Sequence, residues 1–257
     1  MKKNRKSRLQ STLLFTIQID FVSVITCEKN LGYTALCQIY HELGIHTFLT
    51  NRQRHSKEQY DSNTIMKMLV YSRLLFPVSK KSSYDNRERF FENTDYSLDD
   101  IYRCLSFLDK HRENLQVWMN DRIKKNYGRD TSLIYYDVTN YYFETDEPND
   151  FLRKGVCKEY RPNPIVQMGL FIDNKGIPIT YELFPGNTND CLTYRPNLGR
   201  IKKQFDLGRV ITVADKEMTT GDNIWYTINT PTHDGYVFSM SIRGAEKKPQ
   251  KLCPQRR

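Results

Sequence analysis

Residues 132–144 read SLIYYDVTNYYFE. The run is dominated by Ile, Val, Tyr and Phe, the β-branched and aromatic residues that suit a pleated, half-buried surface, and it predicts a strand. One carboxylate, Asp137, stands inside it. Acids are seldom buried unless something pairs with them, so its place in such a run calls for a reason. A second acid has a similar setting. In RVITVADKEM, residues 209–218, Val210, Ile211, Val213 and Ala214 form a short apolar strand, and Asp215 comes at its C-terminal end. In open α/β sheets, ligands collect beyond the carboxyl ends of strands. Asp137 likewise follows the run SLIYY before the strand pattern resumes. If the two strands are neighbours, the carboxylates converge, and they repel unless a cation lies between them or one takes a proton. A hard, oxygen-seeking cation such as Mg2+ resolves that conflict. Two such ions clamp the attacking and leaving oxygens in phosphodiester chemistry. The competing reading is that each Asp only caps a turn or a helix start, where Asp is common.

Working outward, the pattern upstream of residue 129 is helical. SNTIMKMLVYSRLLF places Ile65, Met68, Leu69 and Ser72 on one face, and Pro77 ends the segment. YSLDDIYRCLSFLDKH opens with a capping-box pair, Ser97 and Asp100, and continues with Ile101, Leu105 and Leu108 at helical spacing. ENLQVWMNDRIKKNYG repeats the pattern and stops at Gly128. Near Arg129 the period becomes extended. NPIVQMGLFIDNKGIPITYELFPG contains a turn between two strands and predicts a hairpin. CLTYRPNLGRIKKQFD follows, where Pro196 permits a helix only in its first turn or at a break. TTGDNIWYTINT predicts a short helix and GYVFSMSIRG a last strand. Strand, hairpin, helix, strand, helix, strand is an α/β order that suits a mixed sheet with helices on its faces.

Composition narrows the partners. The 257 residues carry 39 Lys+Arg against 30 Asp+Glu, a formal net charge of +9. That balance favours a polyanion, most simply nucleic acid. The six cysteines are scattered without a Cys-x-x-Cys pair or zinc spacing, which predicts reduced thiols in a cytosolic setting. The apolar run near the N-terminus is interrupted by Thr16, Gln18 and Asp20, against a secretory signal. No stretch is apolar for long enough to predict a membrane span. No Gly-x-Gly-x-x-Gly, phosphate loop or nucleophile elbow occurs, and the five histidines lie away from both acids.

Three segments in order, YYDVTNYYFE, KGVCKEYRPNPIVQMGLFIDNKGIPITYELFPGNTND and VITVADKEMTTGDNIWY, resemble the catalytic region of insertion-sequence DDE transposases. The closer likeness is to the bacterial, insertion-sequence-four-like branch. It covers residues 65–244 and is strongest from 131 to 224. It implies a ribonuclease-H-like fold, a five-stranded mixed sheet flanked by helices, here preceded by a mostly helical region. It also implies that Asp137 on the first strand and Asp215 after the fourth are catalytic and hold Mg2+, for which Mn2+ can substitute. The two are 215 − 137 = 78 residues apart. The expected partners are transposon-end and target DNA and a second copy of the chain, in the bacterial cytoplasm.

The same likeness calls for a third acid, a Glu on a late helix in a Y-R-E-K signature. Only 257 − 215 = 42 residues follow Asp215. Glu246 is the one late Glu after Glu217; no Tyr-x-x-Arg precedes it, and Pro249 breaks the helix it would need. The expectation is therefore that the third catalytic acid is absent, that the chain is a C-terminally truncated transposase, and that it is inactive alone. Lys216-Glu217 also stands where similar proteins carry Arg-Gly. The alternative is a non-catalytic DNA-binding or dimer-forming fragment that regulates a full-length transposase. Lys154, Lys158 and Arg161, in the loop before the hairpin, are the expected DNA contacts, positioning phosphates without reading sequence. The expected organisation is a helical region over 1–128 that binds DNA ends, an incomplete catalytic core over 129–244 and an irregular tail over 245–257.

Overall fold

The structure, a computed structural model, describes residues 31–54, 56–144, 147, 149–155 and 163–240. The run over 132–144 forms a strand, β1 (Leu133–Tyr142). Next comes the expected hairpin, β2 (Ile165–Asp173) and β3 (Pro178–Pro185), with Gly176 in its turn at φ +79°, a left-handed conformation that glycine adopts without a steric penalty. Helix α7 (Asp190–Phe205), strand β4 (Ile211–Ala214), helix α8 (Gly221–Ile228) and strand β5 (Gly235–Phe238) complete the order. The sheet runs β3-β2-β1-β4-β5. β2 lies antiparallel to both β1 and β3, while β4 lies parallel to both β1 and β5. This five-stranded mixed sheet with its helices is a ribonuclease-H-like fold.

The apolar core of the sheet lies under α7. Ile134, Tyr136 and Val138 of β1 meet Phe171, Ile179, Tyr194, Leu198 and Ile201. Pro196 does not break α7; the helix runs through it. An interior proline costs about 3 kcal/mol. Burial of Tyr194, Leu198 and Ile201 on either side of it offsets that cost.

Six helices precede the sheet among the described residues: α1 (Gly32–Glu42), α2 (Ile45–Gln53), α3 (Ser62–Leu75), α4 (Lys80–Asp85), α5 (Leu98–Lys110) and α6 (Arg112–Tyr127). They share a second apolar cluster that includes Leu49, Ile65, Met68, Tyr71 and Ile101. The Ser97–Asp100 capping box forms as the sequence predicts, and Gly128 ends α6 at φ +65°.

Two sets of contacts fasten helices to sheet. Arg129, at the junction, donates from Nη1 to Asp173 Oδ2 at 3.2 Å, with both side chains buried. Asp173 Oδ1 in turn accepts the N–H groups of Lys175 and Ile177, each at 2.9 Å, and so shapes the hairpin turn. Along the β3 edge, the Tyr181 N–H donates to Gln116 Oε1 of α6 at 3.2 Å, and its carbonyl accepts from Arg200 of α7 at 2.8 Å. Glu182 pairs with Arg200 at 2.9 Å.

Asp234, just before β5, is buried. Its Oδ1 accepts from Lys202 Nζ at 2.8 Å, from the Val210 N–H at 2.9 Å and from Thr232 at 2.8 Å. Burial opposes its charge, but Lys202 and the N–H and hydroxyl donors outweigh that and hold its carboxyl below the ordinary value.

Removing Arg129 leaves Asp173 charged and buried without its partner. Arg129→Leu is expected to cost about 3–5 kcal/mol of stability, read from urea unfolding. For Asp234 the folded pKa is depressed, so its contribution is present above the unfolded value and lost as pH falls. Melting temperature is expected to drop below about pH 3.9, and Asp234→Asn to remove part of that decline, checked by melting curves across acid pH.

Candidate functional site

Along β1 the side chains alternate. Ile134, Tyr136 and Val138 are buried toward α7, whereas Tyr135, Asp137, Thr139 and Tyr141 are exposed on the opposite face. This resolves the puzzle of the acid: Asp137 stands on the open face of a strand whose other face is core. Asp137 lies in the middle of its strand, inside the run as the sequence places it. β1 is ten residues long and β4 only four. The strand end that matters is that of β4.

The parallel ladder pairs Leu133 with Ile211, Ile134 with Thr212, Tyr135 with Val213 and Tyr136 with Ala214. Each aspartate directly follows the last pair of that ladder, so the register carried on by one residue would bring Asp215 level with Asp137. Asp215 retains extended backbone, at φ −76° and ψ −179°, although β4 has ended. The alternation along β4, with Thr212 and Ala214 buried, therefore directs Asp215 to the face that carries Asp137. Asp215 is half-buried and Asp137 exposed. Asp215 also caps the short 3-10 turn Lys216–Met218, accepting the Glu217 N–H at 3.0 Å. The capping role and a place at the sheet rim are both real, since only one oxygen takes the N–H. The donor set, two carboxylates side by side, suits a hard divalent cation. Among the described residues no group of three or more His, Cys, Asp or Glu gathers here or elsewhere.

Behind the acids lies a polar layer that sequence reasoning missed. The Tyr136 hydroxyl donates to Thr193 Oγ1 at 2.7 Å, and Thr193 donates to the Asp190 carbonyl at 2.6 Å. Burial pushes the Tyr136 phenol up to about 12, so it keeps its proton and remains a donor. Asn223 of α8 is buried and bonds the carbonyls of Cys191 and Met218 at 3.0 and 3.1 Å, tying the start of α7 to the turn that follows Asp215. Gly169 makes room for the Tyr136 ring: a Cβ there would meet the Tyr136 hydroxyl at 2.3 Å. These residues carry no signal in a single sequence, because polar side chains at helical spacing read as surface.

Of the expected DNA contacts, Lys154 is exposed. Its neighbour Arg153 bridges to Ile165, at the start of β2. Ile165 pairs with Tyr142, five residues past Asp137, so the Lys154 loop is pinned roughly 16 Å along the strand from that acid. Lys158, Arg161 and Glu246 lie outside the described residues, as does the tail over 245–257.

No family model matches the chain, and no curated protein does. Similar solved structures exist. One is a piggyBac transposase synaptic complex with hairpin DNA, 12% identical, with a TM-score of 0.45, covering 86% of this chain and 52% of that one. A second is a Mos1 transposase paired-end complex with left transposon end, 14% identical, TM-score 0.28, covering 70% and 58%. A third is the catalytic domain of Mos1 mariner transposase, 18% identical, TM-score 0.28, covering 51% and 60%. The chain thus spans between half and three-fifths of the length of these relatives in structure. The fold assignment rests on strand order and register.

Gly169→Ala forces the Tyr136 ring against Asn197 and Thr193. It is expected to cost about 1–3 kcal/mol, read from urea unfolding. Any divalent-metal affinity should weaken in step, because Tyr136 precedes Asp137 on the strand.

Proposed function

We propose that the chain is a DNA transposase, or the corresponding part of one, of the insertion-sequence-four-like branch. In this reading Asp137 and Asp215 hold Mg2+ or Mn2+ at the sheet, and the basic surface holds transposon-end DNA, with a second copy of the chain completing the assembly. One observation supports it: β1 and β4 are parallel neighbours whose ladder ends at Tyr136 and Ala214, the residues just before the two aspartates. A net charge of +9 supports a polyanionic partner.

The chain's own contributions follow from that arrangement. Asp137 stands on a central strand paired on both sides, so its backbone is held firmly. Asp215 is held by its cap and, through Met218, by Asn223. Two fixed carboxylates repel when empty-handed and bind a dication without reorganising. When bound, such ions activate the attacking oxygen and stabilise charge in an in-line phosphoryl transition state. Lys154, exposed on the pinned loop, contacts phosphate and positions the strand.

The alternative is a non-catalytic fragment that binds DNA or dimerises and so regulates a full-length transposase, and the net charge of +9 suits it equally. Cleavage assays separate the two: strand cleavage by the chain supports the first reading, and specific DNA binding without cleavage the second.

Calorimetric titration with Mn2+ is expected to detect binding that Asp137→Ala and Asp215→Ala abolish. Undiminished binding in either variant rejects the assignment. DNA affinity is expected to fall linearly with salt on logarithmic axes, and Lys154→Ala to reduce that slope by about one, measured by gel shift.

A further inference from the structure

The α1–α2 corner holds two imidazoles that the proposed DNA chemistry does not use. His41 lies in the last turn of α1 and His46 in the first turn of α2. A separation of five residues does not place side chains on one face of a continuous helix. The turn does. Gly44, between them, takes φ +63°, and α6 braces the corner through Trp118, whose Nε1 donates to the Leu43 carbonyl at 3.1 Å. The result is a 3.1 Å approach of His41 Nδ1 to His46 Nδ1, with ring centroids 4.3 Å apart. His46 Nε2 lies 3.0 Å from Thr47 Oγ1. Two tautomer pairs satisfy both contacts, because the Thr47 hydroxyl can accept or donate; in the pair that suits a metal, His46 donates from Nε2 to Thr47 and accepts at Nδ1 from the His41 Nδ1–H.

We propose that His41 and His46 form a binding site for a borderline transition-metal dication such as Zn2+, coordinated by the two Nδ1 atoms and completed by water. At a Zn–N bond of 2.0–2.1 Å and a tetrahedral angle, two ligand nitrogens lie about 3.3 Å apart, close to the observed separation. His41 is exposed and His46 half-buried, so the ion has an approach from solvent. Coordination moves the His41 proton from Nδ1 to Nε2, and neither ring loses its neutral charge. Ligation through Nδ1 places the His46 proton on Nε2, where Thr47 Oγ1 can accept it.

The surroundings select the class of metal. Burial, His41, Lys67 and Arg122 all hold His46 below the usual imidazole range. Lys67 is itself paired with Glu92 at 2.7 Å. These cations discourage an ion held by charge alone, and nitrogen donors suit Zn2+ rather than Mg2+. The corner and the aspartate pair would therefore take different ions.

The test uses the full chain with excess Mg2+ present, so that carboxylate sites are occupied. Calorimetric titration with Zn2+ is expected to give one site whose affinity falls by about ten-fold or more in His41→Asn and in His46→Asn. On the unaltered chain, imidazole 15N spectra are expected to show the Nδ1 resonances of both residues shifting together on Zn2+ addition. Zn2+ affinity unchanged in both variants, or Nδ1 resonances that stay in place through saturation, would overturn the proposal. The spectra decide the matter even where a variant fails to fold.

Discussion

Four parallel residue pairs, Leu133 to Tyr136 against Ile211 to Ala214, set the geometry on which the rest of the molecule depends. Parallel register is unforgiving, because side chains alternate with a period of two. A slip of one residue would carry Asp215 to the buried face, under α7, and leave it a charge in an apolar core. The hydrophobic pattern forbids the slip: Ile134 and Tyr136 on one strand and Thr212 and Ala214 on the other are buried on the same side. The acids are thus aligned by the core beneath them. The placement of side chains on the open face is specified by packing on the closed one.

The closed face is not purely apolar. Tyr136, Thr193, Asn197 and Asn223 bring polar atoms into it, and each makes at least one hydrogen bond. Buried polar groups cost free energy unless they are paired, and in return they admit fewer alternative packings than aliphatic side chains do. Here the bonds run from strand to helix, from β1 to the start of α7 and from α8 to the turn after Asp215. They fix the spacing of the elements that present the two carboxylates.

What the sequence revealed was mostly local. The strand alternation of 133–142, the Asn-Lys-Gly turn of the hairpin and the Ser97–Asp100 box depend on residues close in the chain, and each is where the pattern puts it. The continuous α7 was hidden because proline's local preference yielded to burial of Tyr194, Leu198 and Ile201 around it. Adjacency of the two acid-bearing strands entered only as a condition, supplied by family resemblance. The Arg129–Asp173 pair spans 44 residues and leaves no periodic trace. The His41–His46 contact needs a left-handed glycine that spacing rules do not anticipate.

The sheet also has unlike sides. At β3, the outward N–H and carbonyl of Tyr181 are already taken by Gln116 and Arg200. At that residue an incoming strand finds no backbone groups to pair with, which blunts this border. At the opposite border β5 is short, and Tyr236 and Val237 lie open to solvent. Any further backbone that extends the sheet, from this polypeptide or another, has its room on that flank, next to the strand that delivers Asp215. Among the described residues, the open border of the sheet thus lies next to the strand that leads into Asp215.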